Sequence, residues 1–308
     1  MIKENGIQMI VKSVTDNQRV FAITLMTVGS IFISFNGIVL RSIEAADNWT
    51  IIFYRSLAFS SAVFLYLFLK YRRVLLSQIK KIGPYGLLAG LILGISNVCF
   101  ILAMTSTTVA NTVFTISLIP FITALLAFVI LGEKLKKITI YTMIAALLGV
   151  LIMFYGALQA GEFSGNVLAF FTAIFFSIFT IILRSKTSID MLPCLLLSGV
   201  IPMLVSSSLK MGALQISFHD ILLCFLLGGI MSAFVNICFV FATRHLIAGE
   251  VTLFFFLEIS LSPTWVWLFA NEAVSMNTLI GGSVILTSLL IRALWLRFII
   301  HKPVGTHG

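Results

Sequence analysis

The chain has 308 residues, 60% of them hydrophobic and 10% charged, with a formal net charge of +9 and a mean hydropathy of +1.12. Soluble domains are roughly 25% charged, so this sequence lacks the charge to cover a water-facing surface. The basic balance does not mark a nucleic-acid binder, because the Lys and Arg fall in short connections between apolar runs. Runs of ~20 apolar residues cross a bilayer core, and they make up most of the chain.

The first segment, 1–19, is polar and ends at Arg19. The apolar run after it is too long for a signal-peptide core and has no small-residue cleavage pattern, so it reads as an uncleaved first helix. Ten spans follow in order, at roughly 20–40, 49–69, 84–104, 109–131, 138–158, 166–183, 192–209, 220–242, 249–270 and 277–298. They lack the polar alternation of barrel strands. The expected fold is all-α and integral to the membrane, with ten transmembrane helices. Asn48-Trp49-Thr50 matches a glycosylation sequon but abuts a span, and is taken as chance.

Loop charge sets the orientation. With the N-terminus in the cytoplasm, the outside segments carry only Arg41 and Lys210, and Arg55 lies within a span. Every other Lys and Arg then falls inside, as the positive-inside rule requires. An even number of spans returns the tail, 299–308, to the cytoplasm. The expected location is the cell (inner) membrane, multi-pass.

One stretch of the third span returns in the eighth. Gly90, Asn97, Cys99, Phe100 and Ala103 recur as Gly229, Asn236, Cys238, Phe239 and Ala242, 139 residues on (236 − 97). Leu40-Arg41-Ser42 resembles Leu183-Arg184-Ser185. Five spans per half is an odd number, so the copies cross the membrane in opposite directions. The chain thus reads as two inverted five-helix repeats, 20–158 and 164–298. In that architecture the binding site lies near the midplane, between the halves.

Several polar residues sit deep in apolar runs. Span 3 carries Gly86, Gly90 and Gly94 at four-residue spacing, with Asn97 three residues on. Small residues on one helical face let backbones approach, so this face is packing first. Asn97 and Asn236 either bridge helices or line the cavity. In span 9, Phe254, Glu258, Leu261 and Trp265 share a face. An acid at that depth should meet a cavity or a partner. Flanked by aromatics, it suits a cationic or amphipathic organic substrate, and without a nearby cation it is placed to carry a proton. A structural pair with Arg55 is the competing role. Arg55 itself either snorkels to the outer surface or faces the cavity and favours a carboxylate. Asn36, beside Ser34 and Phe35, is the polar break in span 1. Pro120 and Pro263 each remove a backbone hydrogen bond and are candidates for a kink that serves gating. Glu133 and Glu272, again 139 apart (272 − 133), end spans on opposite faces and read as caps or loop pairs.

The four Cys read as small buried side chains, and the four His lie in loops or the tail, so neither a disulfide nor a metal site is expected. No cofactor is implied. The stretch from Ala103 through Pro120 to Leu131-Gly132-Glu133-Lys134 resembles the drug/metabolite transporter superfamily, in its ten-helix EamA-type members. The resemblance covers roughly 20–298, and Pro263 and Glu272 resemble its second copy, with Asn271 where the family commonly has Gly. It implies a central cavity, alternating access and gradient-driven transport of a metabolite, often outward. The expected partners are a small-molecule substrate and the lipid bilayer. A lipid flippase or scramblase is the alternative, which a lateral groove would favour. An intramembrane enzyme comes last, because the spans hold no His, paired acids, His-Glu-x-x-His or Gly-x-Ser-x-Gly.

Overall fold

Local chemistry sets the ends of the helices. The computed structural model describes residues 20–44, 46–133, 137–245 and 248–300, with side chains described throughout these except at 159–160, 245, 248–256, 292–293 and 296–300. The expectations made for 1–19, Lys134, Lys136 and the tail from 301 lie outside the described residues. So do those made for the side chains of Phe254, Arg292 and Arg297.

Helix α1 (20–33) is interrupted by a turn at Ser34 and Phe35 before α2 (Asn36–Arg41). The Asp47 carboxylate accepts the Trp49 and Thr50 N–H groups and so caps α3 (Asn48–Tyr71), which stops where Arg72 takes a positive φ of 47°. A single 3-10 turn leads to the short α4 (Leu75–Lys81). Pro84 opens α5 (Gly83–Ser106), its missing N–H costing nothing there. Thr108 caps α6 (Val109–Ile116), and α7 (Ile119–Leu131) carries Pro120 in its first turn and closes on left-handed Gly132. There follow α8 (Lys137–Ala160), α9 (Phe163–Ser185) and α10 (Cys194–Lys210). Ser217 caps α11 (Phe218–Phe225), which runs through a π-helical segment, Leu226–Ser232, into α12 (Ala233–His245). The last two helices are α13 (Ala248–Phe269) and α14 (Met276–Ile300).

The protein is all-helical over the described residues, with no strand among them. Among the described residues, seven segments are long and apolar enough to cross a membrane: Val20–Arg41, Asn48–Lys81, Gly83–Ser106, Val109–Leu131, Lys137–Leu158, Phe163–Ser185 and Phe218–Arg244. The spans expected at 192–209, 249–270 and 277–298 coincide with α10, α13 and α14. Outward faces are apolar, as a hydrocarbon surround demands, with Phe64, Leu65, Leu87, Phe128, Ile144 and Leu151 among the exposed side chains.

The helices pair in a regular pattern. Helix α5 lies along α9, α8 along α14, α3 along α10 and α6 against α13. Helix α5 also meets α10 as α3 meets the π segment, and α7 meets α9 as α2 meets α13. Glycines set the closest approaches. A Cβ on Gly90 would stand 2.7 Å from the Cys194 carbonyl of α10, so the glycine row of α5 is a packing face, as its spacing predicts. Gly228 in the π segment lies so close to the Arg55 carbonyl that no Cβ fits.

Two apolar clusters fill the bundle. One gathers Met26, Phe59, Val63, Leu93, Phe179 and Phe239 toward the end of the bundle where α1 begins. The other gathers Leu40, Ile52, Ile101, Phe114, Leu227 and Ile259 toward the opposite end. Along α3 the first cluster begins at Phe59 and the second ends at Ile52, which leaves Arg55 on the level between them.

Candidate functional site: a mid-bundle cavity

A cavity of about 110 Å³ opens on that level. One water needs about 10–15 Å³ by the same measure of where its centre fits, so the space suits a small organic molecule. Seven of the expected spans contribute to its wall. Asn36, Arg55, Asn97, Asn236 and Glu258 all line it, so the structure brings five of the seven expected binding residues together.

The break after α1 explains the place of Asn36. The helix ends at residue 33 and restarts at Asn36, which is only 4% exposed, with its side-chain oxygen unpaired among the described residues. A buried amide oxygen without a partner is unusual and offers a substrate an acceptor.

Arg55 is held by the π segment. It is 5% exposed, too buried to snorkel to a surface. Its Nη2 donates to Ser232 Oγ at 2.8 Å, its guanidinium lies 5.8 Å from the centre of the Phe100 ring, and its Nε–H has no acceptor among the described residues. The wider π turn lets Ser232 face Arg55 while the Ser232 carbonyl accepts Asn236 Nδ2–H at 2.9 Å. Asn236 therefore bonds within its own helix and, among the described residues, does not bridge to another. Such π turns recur at functional sites.

Glu258 enters from the far wall on α13. Among the described residues no ion pair joins it to Arg55, so the structural pair weighed from the sequence does not form. The cavity thus holds one buried cation and one carboxylate, not bonded to each other. Ser96 donates to the Thr172 carbonyl at 3.1 Å and ties α5 to α9 at the wall. Ser30, Ser232, Phe176 and Phe239 complete the polar and aromatic lining.

The remaining expected residues lie elsewhere. Trp265 is outside the lining. It stacks on Phe35 at 4.8 Å between ring centres, and its Nε1–H donates to Ser34 Oγ at 3.0 Å, so it fastens α13 to the break in span 1. Phe254 lies on α13, with its side chain outside the described residues. Pro120 sits in the first turn of α7, just past a break at Ser117 and Leu118, whereas α13 runs helical through Pro263. Glu133 and Glu272 are ion-paired, with Arg184 at 2.5 Å and with Arg41 at 2.8 Å. All four cysteines are free, Cys194, Cys224 and Cys238 buried and Cys99 half-buried. Sequence reasoning missed Ser96, Thr172 and Ser232. A hydroxyl in a membrane helix commonly bonds its own preceding turn, so nothing in the local sequence distinguishes these three.

Residues 20–155 match the model of the EamA-like transporter family. A curated relative from Clostridium kluyveri, an uncharacterized transporter, is 28% identical over 183 residues. That match spans 56% of this chain and 56% of the relative, so the chain covers about half the length of the curated protein it matches. A solved crystal structure superposes with a TM-score of 0.67 at 15% identity, covering 92% of this chain and 99% of the other. At that identity the likeness is one of fold. Residues 20–155 are thus similar to EamA-like transporters of the drug/metabolite transporter type, and the apolar helices make the chain a multi-pass membrane protein.

Proposed function

We propose that this protein is a secondary active transporter of a small organic metabolite, such as an amino acid, an amine or a related compound. It works by alternating access and is driven by a gradient. The observation that carries the reading is the pair of opposite, unbonded charges, Arg55 and Glu258, on the wall of one mid-bundle cavity. Arg55 offers a free Nε–H to a carboxylate, and Glu258 offers its own carboxylate to an ammonium group. Phe100, Phe176 and Phe239 receive the apolar part of the substrate. Glu258 is also the candidate proton site. Pro120 and Pro263 are candidate points of bending.

The two halves, 20–158 and 164–298, are inverted repeats of five spans each, with both termini in the cytoplasm of a cell whose plasma membrane holds the protein. The reciprocal pattern of helix pairs supports this: α5 meets α10 as α3 meets the π segment, and α7 meets α9 as α2 meets α13. The cavity is walled by helices from both halves, which favours a metabolite over a lipid.

A thermal-shift screen of the purified protein against amino acids, amines and carboxylates tests the substrate class. A ligand at 100 times its Kd stabilises the fold by about 2.7 kcal/mol. Zwitterions should raise the Tm in the parent and fail to do so in Arg55→Gln. A panel in which only neutral or lipid-like compounds shift the Tm rejects the assignment.

A further inference from the structure

We propose that four ion pairs between the halves form two reciprocal gates, one at each end of the bundle, an inference that rests on the alternating-access reading above. At one end Arg41 pairs with Glu272 at 2.8 Å and Lys210 with Asp47 at 2.8 Å. At the other, Arg184 pairs with Glu133 at 2.5 Å and Lys70 with Asp190 at 3.1 Å. The two sets are images of each other. Arg41 corresponds to Arg184 (184 − 41 = 143) and Glu133 to Glu272 (272 − 133 = 139). Asp47 corresponds to Asp190 (190 − 47 = 143) and Lys70 to Lys210 (210 − 70 = 140). These offsets, 139 to 143, lie within four residues of the 139 that separates Asn97 and Asn236.

Each pair ties a helix end of the first half to a helix end of the second. Rocking of the halves about the cavity opens one end while the other closes, so it must separate one set and keep its image. The pairs have the properties such a task needs. All are partly solvated, with side-chain exposures from 16% to 48%, and exposed pairs of this kind hold weakly enough to part. The helices they join also reach the cavity. Arg41 ends the span that carries Asn36, and Glu272 follows the helix that carries Glu258. Glu133 follows α7 and Arg184 lies near the end of α9, and these helices contribute Ile119 and Thr172.

Further bonds reinforce both ends. Arg41 Nη2 also donates to the Thr107 carbonyl at 2.8 Å, and the second oxygen of Glu272 accepts the Val109 N–H at 2.6 Å. Among the described residues, Arg184 and Glu133 make no such backbone bonds. At the Arg184 end the second pair is reinforced instead, because Tyr71 Oη–H donates to Asp190 and Arg244 lies 3.7 Å from the same carboxylate.

Hydrogen exchange on the purified full chain tests the gates. Glu133→Gln should speed exchange of the amides at 186–192 and slow those at 270–275. Glu272→Gln should do the reverse. Losing one exposed pair shifts the ratio of the two forms roughly two- to five-fold. A change confined to the mutated end, or no change at either end, overturns the proposal. The swapped chain, with Glu133→Arg and Arg184→Glu, restores the bond with its sign reversed and must match the parent at both ends. A swapped chain that behaves like the neutralised one also overturns it. Uptake in proteoliposomes separates this result from the reading beneath it. Reciprocal exchange without uptake rejects the transporter, and uptake with local exchange alone rejects the gates.

Discussion

Arg55 and Glu258 are costly to keep in a membrane helix, and the structure leaves both charges free to meet a ligand. Replacing Glu258 with Gln keeps the shape and removes the charge and the proton. Uptake driven by a proton gradient should fall to background in Glu258→Gln, while counterflow of labelled substrate against unlabelled substrate persists. Proton-driven uptake at the parental rate in that variant would sink Glu258 as the coupling site. Arg55→Lys keeps a cation but loses the planar fork that reaches Ser232 and leaves Nε free. A charged hydrogen bond contributes about 1.5–3 kcal/mol, so the KM for a carboxylate-bearing substrate should rise roughly ten- to hundredfold. Asp47 gives a different kind of test, outside the membrane. Burial pushes its pKa up, but hydrogen bonds from Lys210 and Thr50 and the Lys210 charge outweigh this and bring it down from 3.8 to about 2. The folded state thus favours the ionised acid, and the stabilisation is complete above about pH 4 and lost as pH falls through about 2. Asp47→Asn keeps a good helix cap and loses the ion pair. Its Tm should lie below the parent's at pH 6 by an amount worth under about 1 kcal/mol, with the two curves meeting near pH 2.

At the scale of elements, the helices were legible in the sequence because a run of ~20 apolar residues has few other uses. The interruptions were less so. Ser34 and Phe35 mark a break in span 1 that the sequence offered only as an isolated polar patch. What fixes that break is a tryptophan on α13, more than two hundred residues away, whose indole N–H reaches Ser34 and whose ring covers Phe35. Periodicity put Trp265 on the face of Glu258, but it does not say which neighbour a helix face meets. Trp265→Phe retains the stack and loses the bond, at a cost of about 1 kcal/mol. A drop in Tm with near-parental substrate affinity is the expected result; affinity lost with the Tm unchanged would make Trp265 a substrate contact instead. The π segment was invisible beforehand, since Leu226–Ser232 reads as plain apolar helix and only the close crossing at Gly228 reveals it.

At the scale of the whole molecule, the duplicated Asn and Cys and the loop charges carried the two-half reading, because those features are rare in an apolar alphabet. The partners of the charges were not legible. Nothing near Lys70 points to Asp190, and nothing near Asp47 points to Lys210, since each link joins a helix end to a loop far away in the chain. The matched ion pairs also bear on how the protein answers to its medium. Dissolved salt screens exposed charges, with a reach of about 8 Å at physiological strength. Because the four pairs repeat the same charge types at both ends, added salt weakens both holds together. Turnover should then quicken with ionic strength while the preference for one facing state stays near its low-salt value.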